Sequence, residues 1–207
     1  MEMKIKVCGM RDRDNIRALA ELPIHYMGFI FVEKSPRNAL ALQPEALGLL
    51  TPAIRRVGVF VNAPFDSIMA RVAQYGLHSV QLHGDEPPSL CQQLQERNLE
   101  VIKAFAAPLD GNFSATEPYI SCADYLLFDT PSAQAGGSGR QFDWTILDQY
   151  RGNLPFFLSG GISPLDANRI KQFRHTRFAG IDINSRFEVS PGEKNVGMVA
   201  AFVREMM

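Results

Sequence analysis

A thiol, a carboxylate, an imidazole and a guanidinium each stand at or just beyond the end of a short apolar run. Cys8 closes Ile5-Lys6-Val7-Cys8, and His83 follows Ser79-Val80-Gln81-Leu82. Asp129 follows Tyr125-Leu126-Leu127-Phe128, and Arg37 lies just beyond the run from Met27 to Val32. A cysteine and an aspartate are groups that could take a proton and give one. An arginine offers a planar fork to a carboxylate. Each also has a plain reading: a buried cysteine is often only a small hydrophobe, and an aspartate before Thr130-Pro131 can simply cap a turn.

A second kind of chemistry is written in glycine. Pro155-Phe156-Phe157-Leu158 runs into Ser159-Gly160-Gly161, after which Ser163-Pro164 opens a helical pattern through Leu165, Ile170 and Phe173. Glycines let backbone approach a ligand, and a helix start offers N–H groups to an anion, so this stretch is expected to bind a phosphate. Gly136-Gly137-Ser138-Gly139 reads as a lid loop between Asp129 and the helix that Asp143 caps.

These residues need a frame to bring them together. The apolar runs are Ile5–Cys8, Met27–Val32, Val57–Val61, Ser79–Leu82, Val101–Phe105, Tyr125–Phe128, Phe156–Leu158 and Phe178–Ile183. Helical spacing is expected over 12–22, 44–50, 64–75, 87–98, 143–150, 164–173 and 194–206. The stretch 110–122 is irregular, with Gly111 and Pro118. Strands that alternate with helices pair in parallel through right-handed crossovers. Eight such units point to one (β/α)8 barrel over residues 1–207, compact at about 26 residues per unit beside the ~250 usual for the class. In that fold every strand's C-terminal end opens on the same face, where such enzymes keep their sites. Asp182, Asn184 and Ser185, at the end of the last run, join the same mouth.

Composition narrows the functional classes. The formal net charge is −1, with no basic stripe for nucleic acid. No apolar run approaches the ~18–20 residues of a membrane span. The start is too short and too charged for a signal peptide, and the three cysteines are scattered without metal-ligand or disulfide spacing. The expectation is a cytoplasmic enzyme without a metal site, monomeric by default, with a homodimer as the alternative.

Taken together, Lys6-Val7-Cys8-Gly9-Met10, Gly28-Phe29-Ile30-Phe31 with Ser35-Pro36-Arg37, and Val57–Asn62 resemble one known family. Val80-Gln81-Leu82-His83-Gly84-Asp85-Glu86, Gly136–Gly139 with Phe142-Asp143-Trp144, and Leu158-Ser159-Gly160-Gly161 extend the likeness along the whole chain. The family is phosphoribosylanthranilate isomerase. The resemblance implies a cofactor-free Amadori rearrangement of a phosphosugar substrate, with Asp129 as acid and Cys8 as base. It also implies that Arg37 holds the anthranilate carboxylate, and that Ser159, Gly160, Gly161, Asn184 and Ser185 hold the phosphate. His83, Gly137, Ser138, Gly139 and Asp182 are implied substrate contacts. An ordinary cysteine is only ~3% thiolate at pH 7, so a base of this kind needs a nearby cation, a helix N-terminus or the substrate's iminium. One position departs from the pattern: where the family has a flexible glycine after the eighth strand, this chain has Arg186. That arginine would carry a steric cost if its φ were positive. Two rivals share the scaffold, ribulose-phosphate epimerase and indole-glycerol phosphate synthase, but the metal-binding histidines of one and the lysine–glutamate pairs of the other are not evident. A non-catalytic phosphate-binding module would need neither Cys8 nor Asp129.

Overall fold

The computed structural model describes residues 3–131 and 141–207. Eight parallel strands close into a barrel in sequence order. They are β1 (Lys4–Val7), β2 (Tyr26–Ile30), β3 (Arg55–Phe60), β4 (Ser79–Leu82), β5 (Glu100–Ala106), β6 (Tyr125–Asp129), β7 (Phe156–Leu158) and β8 (Phe178–Ile183). Closure pairs β1 with β8, with Lys6 opposite Asp182 and Val7 opposite Ile183.

Side chains alternate along each strand, so residues two apart share a face. One set points outward and packs under the helices α1 (Arg13–Ala20), α2 (Phe65–Tyr75), α3 (Pro88–Gln95), α4 (Ala167–Gln172) and α5 (Val196–Met206). The other set fills the barrel. Its middle is a separate apolar cluster of Tyr26, Val57, Ile102, Ala104, Leu127 and Phe157. Below it a polar plug closes the barrel floor: Lys4 bonds Tyr26 and Tyr125, and Arg55 and Ser79 bond Glu100. Above it the same alternation carries Cys8, Gln81, His83 and Asp129 to the open end.

Three segments expected as helices, or as irregular helix, are six-residue 3₁₀ helices: Pro44–Leu49, Ser114–Tyr119 and Trp144–Gln149. The reason is reach. A 3₁₀ turn rises about 2.0 Å per residue against 1.5 Å in an α-helix, so a short connection runs further back along the barrel wall. The segment after β7 is likewise a three-residue 3₁₀ turn, Pro164–Asp166, that runs into α4. After β8 a 3₁₀ turn (Ser185–Phe187) leads to a short antiparallel hairpin, β9 (Glu188–Ser190) and β10 (Glu193–Lys194), before α5. No helix among the described residues is long and apolar enough to cross a membrane.

Candidate active site

A cavity of about 600 Å³ opens at the C-terminal ends of the strands. Cys8, Arg37, His83, Asp129, Ser159, Gly160, Gly161, Asp182, Asn184 and Ser185 all line it, so the barrel brings together every expected site residue that falls within the described part. Gly137, Ser138 and Gly139 lie outside the described residues. Among the described residues no group of histidine, cysteine, aspartate and glutamate is arranged to hold a metal ion.

The proposed base sits one residue past β1. Its N–H still bonds Ile183 O at 2.9 Å, which continues the ladder and fixes the side chain toward the cavity. Gly9 then turns away with φ 77°, and a β-carbon there would stand 2.7 Å from Asn184 Oδ1. Only glycine lets the strand-eight loop lie against the strand-one turn. Burial pushes the Cys8 thiol up, the nearby Asp182 carboxylate adds to this, and Lys6 opposes both.

Asp129, the last residue of β6, is held by two contacts. Oδ1 accepts from Thr130 N at 2.8 Å, and Oδ2 lies 3.4 Å from His83 Nε2. Gln81 Nε2 lies 2.9 Å from His83 Nδ1, so the amide holds the ring from the β4 side. His83 on β4 thus stands beside the Asp129 carboxylate on β6. Gly160 (φ 89°) makes room: a β-carbon there would stand 2.9 Å from Asp129 Oδ1 and 2.6 Å from Thr130 N.

Gly160 and Gly161 are consecutive residues of positive φ, 89° and 64°. Among the described residues nothing accepts a hydrogen bond from either N–H, and successive amides in such a turn make a concavity for an anion. The element that follows begins at Pro164, which has no N–H to offer. The turn there is one 3₁₀ winding, and the Ser163 N–H and Oγ are both taken by the Asp166 carboxylate at 2.7 Å. Asn184 and Ser185, after the neighbouring strand β8, line the same cavity as the glycine pair.

The condition for strain at Arg186, a positive φ, is not met. Arg186 lies in the 3₁₀ turn Ser185–Phe187, and the non-glycine residues of positive φ among the described residues are Asn62 and Asn98. Arg186 is not among them, so the arginine costs no left-handed backbone.

Arg37 is anchored by a partner that sequence reasoning left without a role. Its Nε and Nη2 fork onto Glu188, with Nη2 2.8 Å from Oε2 and Nε 2.9 Å from Oε1; Nη1 takes no part in that bond. Lys194 Nζ reaches the same carboxylate at 2.7 Å, and Gly192 N at 3.0 Å. Burial pushes the Glu188 carboxyl up, but Arg37, Lys194 and the Gly192 amide outweigh it and hold it below the usual carboxylate range. Asp182 is likewise not a bare mouth residue: it pairs with fully buried Lys6 at 2.9 Å. The available signal for Lys6 and Gln81 was register, since each stands two residues before Cys8 or His83 on the same face of its strand. Ile30, Val32, Val59 and Val61 give the cavity an apolar wall.

The model of the family described as N-(5'phosphoribosyl)anthranilate (PRA) isomerase matches residues 5–205. The chain is 45% identical over 207 residues to an N-(5'-phosphoribosyl)anthranilate isomerase of Parabacteroides distasonis, covering 99% of this chain and 94% of that one. The crystal structure of phosphoribosyl anthranilate isomerase from Thermotoga maritima superposes with a TM-score of 0.83 at 30% identity, covering 99% of this chain and 98% of that one. A structure of such an enzyme in complex with reduced 1-(o-carboxyphenylamino)-1-deoxyribulose 5-phosphate gives a TM-score of 0.80 at 28% identity, covering 99% of this chain and 98% of that one. With a match running nearly end to end, on a closed barrel whose mouth gathers thiol, carboxylate and glycine turn, the chain belongs to the N-(5'-phosphoribosyl)anthranilate isomerase family.

Proposed function

We propose that Cys8 and Asp129 are the base and the acid of an Amadori rearrangement carried out in this cavity. The chain is an isomerase of tryptophan biosynthesis that converts N-(5-phosphoribosyl)anthranilate to 1-(2-carboxyphenylamino)-1-deoxyribulose 5-phosphate. Asp129 gives its proton to the furanose ring oxygen, the C1–O bond breaks, and the nitrogen's electron pair forms an iminium. Cys8 takes the proton from C2, giving an enol-amine. Proton return to C1 and loss of the enol proton leave the C2 ketone, so atoms and charge balance without a redox partner.

The observation that carries this reading is the shared cavity. Cys8 from β1 and Asp129 from β6 line one space with an anion-binding glycine turn and an arginine at its rim. The Gly160–Gly161 amides, with Ser159, Asn184 and Ser185, hold the phosphate, as loops seven and eight do in many barrels. Arg37, kept in place by Glu188, presents its remaining N–H groups to the anthranilate carboxylate, and the valine and isoleucine wall receives the aromatic ring. His83 and Asp182 line the sugar. The barrel acts as one catalytic domain, as a cytoplasmic monomer that needs no cofactor.

Fluorescence of the anthranilate group follows consumption of the substrate directly. Cys8→Ala and Asp129→Asn should each lower kcat by about 10²–10⁴, the usual worth of a positioned proton-transfer group, with the fold retained by circular dichroism. Either variant keeping more than a tenth of wild-type kcat would overturn the assignment for that residue.

A further inference from the structure

Lys6 is fully buried in the upper barrel, and the mechanism above gives it no task. Its ammonium lies 2.9 Å from Asp182 Oδ1, on the strand that closes the barrel against β1. Burying such a pair is rarely a gain in stability over apolar residues of the same size. Its place is specific, because Lys6 and Cys8 are two apart on β1 and share the inward face. Both crowd the same point over Gly28: a β-carbon there would stand 2.8 Å from Cys8 Sγ and 3.2 Å from Lys6 Nζ. The missing side chain at Gly28 is what lets sulfur and ammonium lie side by side.

We propose that Lys6 is a positioning residue for the rearrangement: its ammonium, tethered by Asp182 beneath Cys8, supplies the buried positive charge that lets the sulfur act as a base in a dry cavity. The inference rests on Cys8 being that base. The charged and titratable groups around the sulfur are Lys6 on its own strand, Asp182 on β8, Lys194 on β10, Arg37 after β2, and His83 and Asp129 on the cavity wall. Lys6 is the closest-acting cation among them, while Asp182 works against it and pushes the thiol up. The pair thus holds one group that favours the thiolate and one that opposes it, and this makes the idea testable by sign.

The experiment measures the rate of Cys8 alkylation by iodoacetamide against pH, with the labelled peptide identified by mass spectrometry, in the full-length protein. Removing the cation in Lys6→Met should move the alkylation limb to higher pH, cutting the rate at fixed pH by up to about tenfold for each unit moved. Removing the opposing carboxylate in Asp182→Asn should move it the other way, to lower pH. Alongside, kcat of Lys6→Met should fall at least about tenfold with KM within about twofold, and Lys6→Arg should restore part of the loss, since it keeps the charge. A pair that merely holds β1 to β8 would shift both variants in the same direction, or neither, and either result overturns the proposal. If Lys6→Met does not fold, the direction of Asp182→Asn alone decides. An active Cys8→Ala would instead strike the reading of Cys8 itself, so the two failures are distinguishable.

Discussion

Replacing Glu188 by glutamine tests how Arg37 is held. In the folded protein this carboxylate accepts both arms of the Arg37 fork, the Lys194 ammonium and the Gly192 amide. The side chains of Arg37, Glu188 and Lys194 are 13%, 5% and 0% exposed, so the charges have little water to fall back on. Glutamine keeps one acceptor oxygen, places an NH2 against a donor, and leaves two cations facing each other without the intervening negative charge. Breaking a buried pair from one side costs about 3–5 kcal/mol. That is about a fifth or more of a typical domain's ~5–15 kcal/mol, and in a chain of this size it lowers Tm by roughly 6–20 °C. Urea unfolding should show the loss as a lower midpoint with an unchanged slope.

The effect should also depend on pH with a definite sign. Glu188 is held below the usual carboxylate range when folded, so its contribution is fully present above the unfolded value of about 4.3. That contribution is lost as pH falls through the lower folded value. Wild type and Glu188→Gln should differ fully at neutral pH and converge in acid. In turnover, KM should rise because the guanidinium is no longer aimed. A stability loss under about 1 kcal/mol at pH 7 with an unaltered KM would refute the view that Glu188 holds Arg37 in a buried clamp.

Three further outcomes follow from the same geometry. Arg37→Lys removes the fork, and losing one charge-assisted bond should raise KM roughly ten- to a hundredfold with a smaller change in kcat; an unaltered KM in steady-state assays would remove Arg37 from the carboxylate site. Gly160→Ala places a β-carbon 2.6 Å from Thr130 N at a φ of 89°, so beyond the ~1–2 kcal/mol of left-handed strain it should displace Asp129 and lower kcat sharply. Near-normal kcat in that variant would mean the turn relaxes without moving the carboxylate. Because burial pushes the Cys8 thiol up, wild-type Cys8 should react slowly with iodoacetamide at pH 7 and faster as pH rises past the range of a free thiol; fast labelling at neutral pH would contradict the burial argument.

Much of this architecture could be read from residue order. Eight β-branched or aromatic runs separated by turn residues favoured a parallel barrel, and six strands, among them Ser79–Leu82 and Phe178–Ile183, have the boundaries read from the sequence to within a residue. The site was legible for a related reason: a barrel sends every strand end to one mouth, so Cys8, His83 and Asp129 converge whatever the helices do. The helices were less legible. Helical spacing at Asp143–Tyr150 fits an α-helix and a 3₁₀ helix alike over so short a stretch, and the distance to be crossed, invisible in sequence, selected the latter. The ion pairs were hidden because partners such as Arg37 and Glu188, or Lys6 and Asp182, lie far apart in the chain and meet only when β1 closes on β8 and the hairpin folds back over the mouth. Whether Arg186 carries strain could not be read from the glycine pattern, which has no φ of its own: in this chain the loop is a 3₁₀ turn.

The most direct test is a crystal structure of this protein with the reduced open-chain product bound. Cys8 Sγ should lie within about 3.5 Å of the sugar's C2 on one side, and an Asp129 carboxylate oxygen within about 3.2 Å of the O4 hydroxyl, the former ring oxygen, with the phosphate on the Gly160–Gly161 amides. A sugar chain that leaves either side chain more than about 5 Å from its atom, with the phosphate seated elsewhere, would contradict the account.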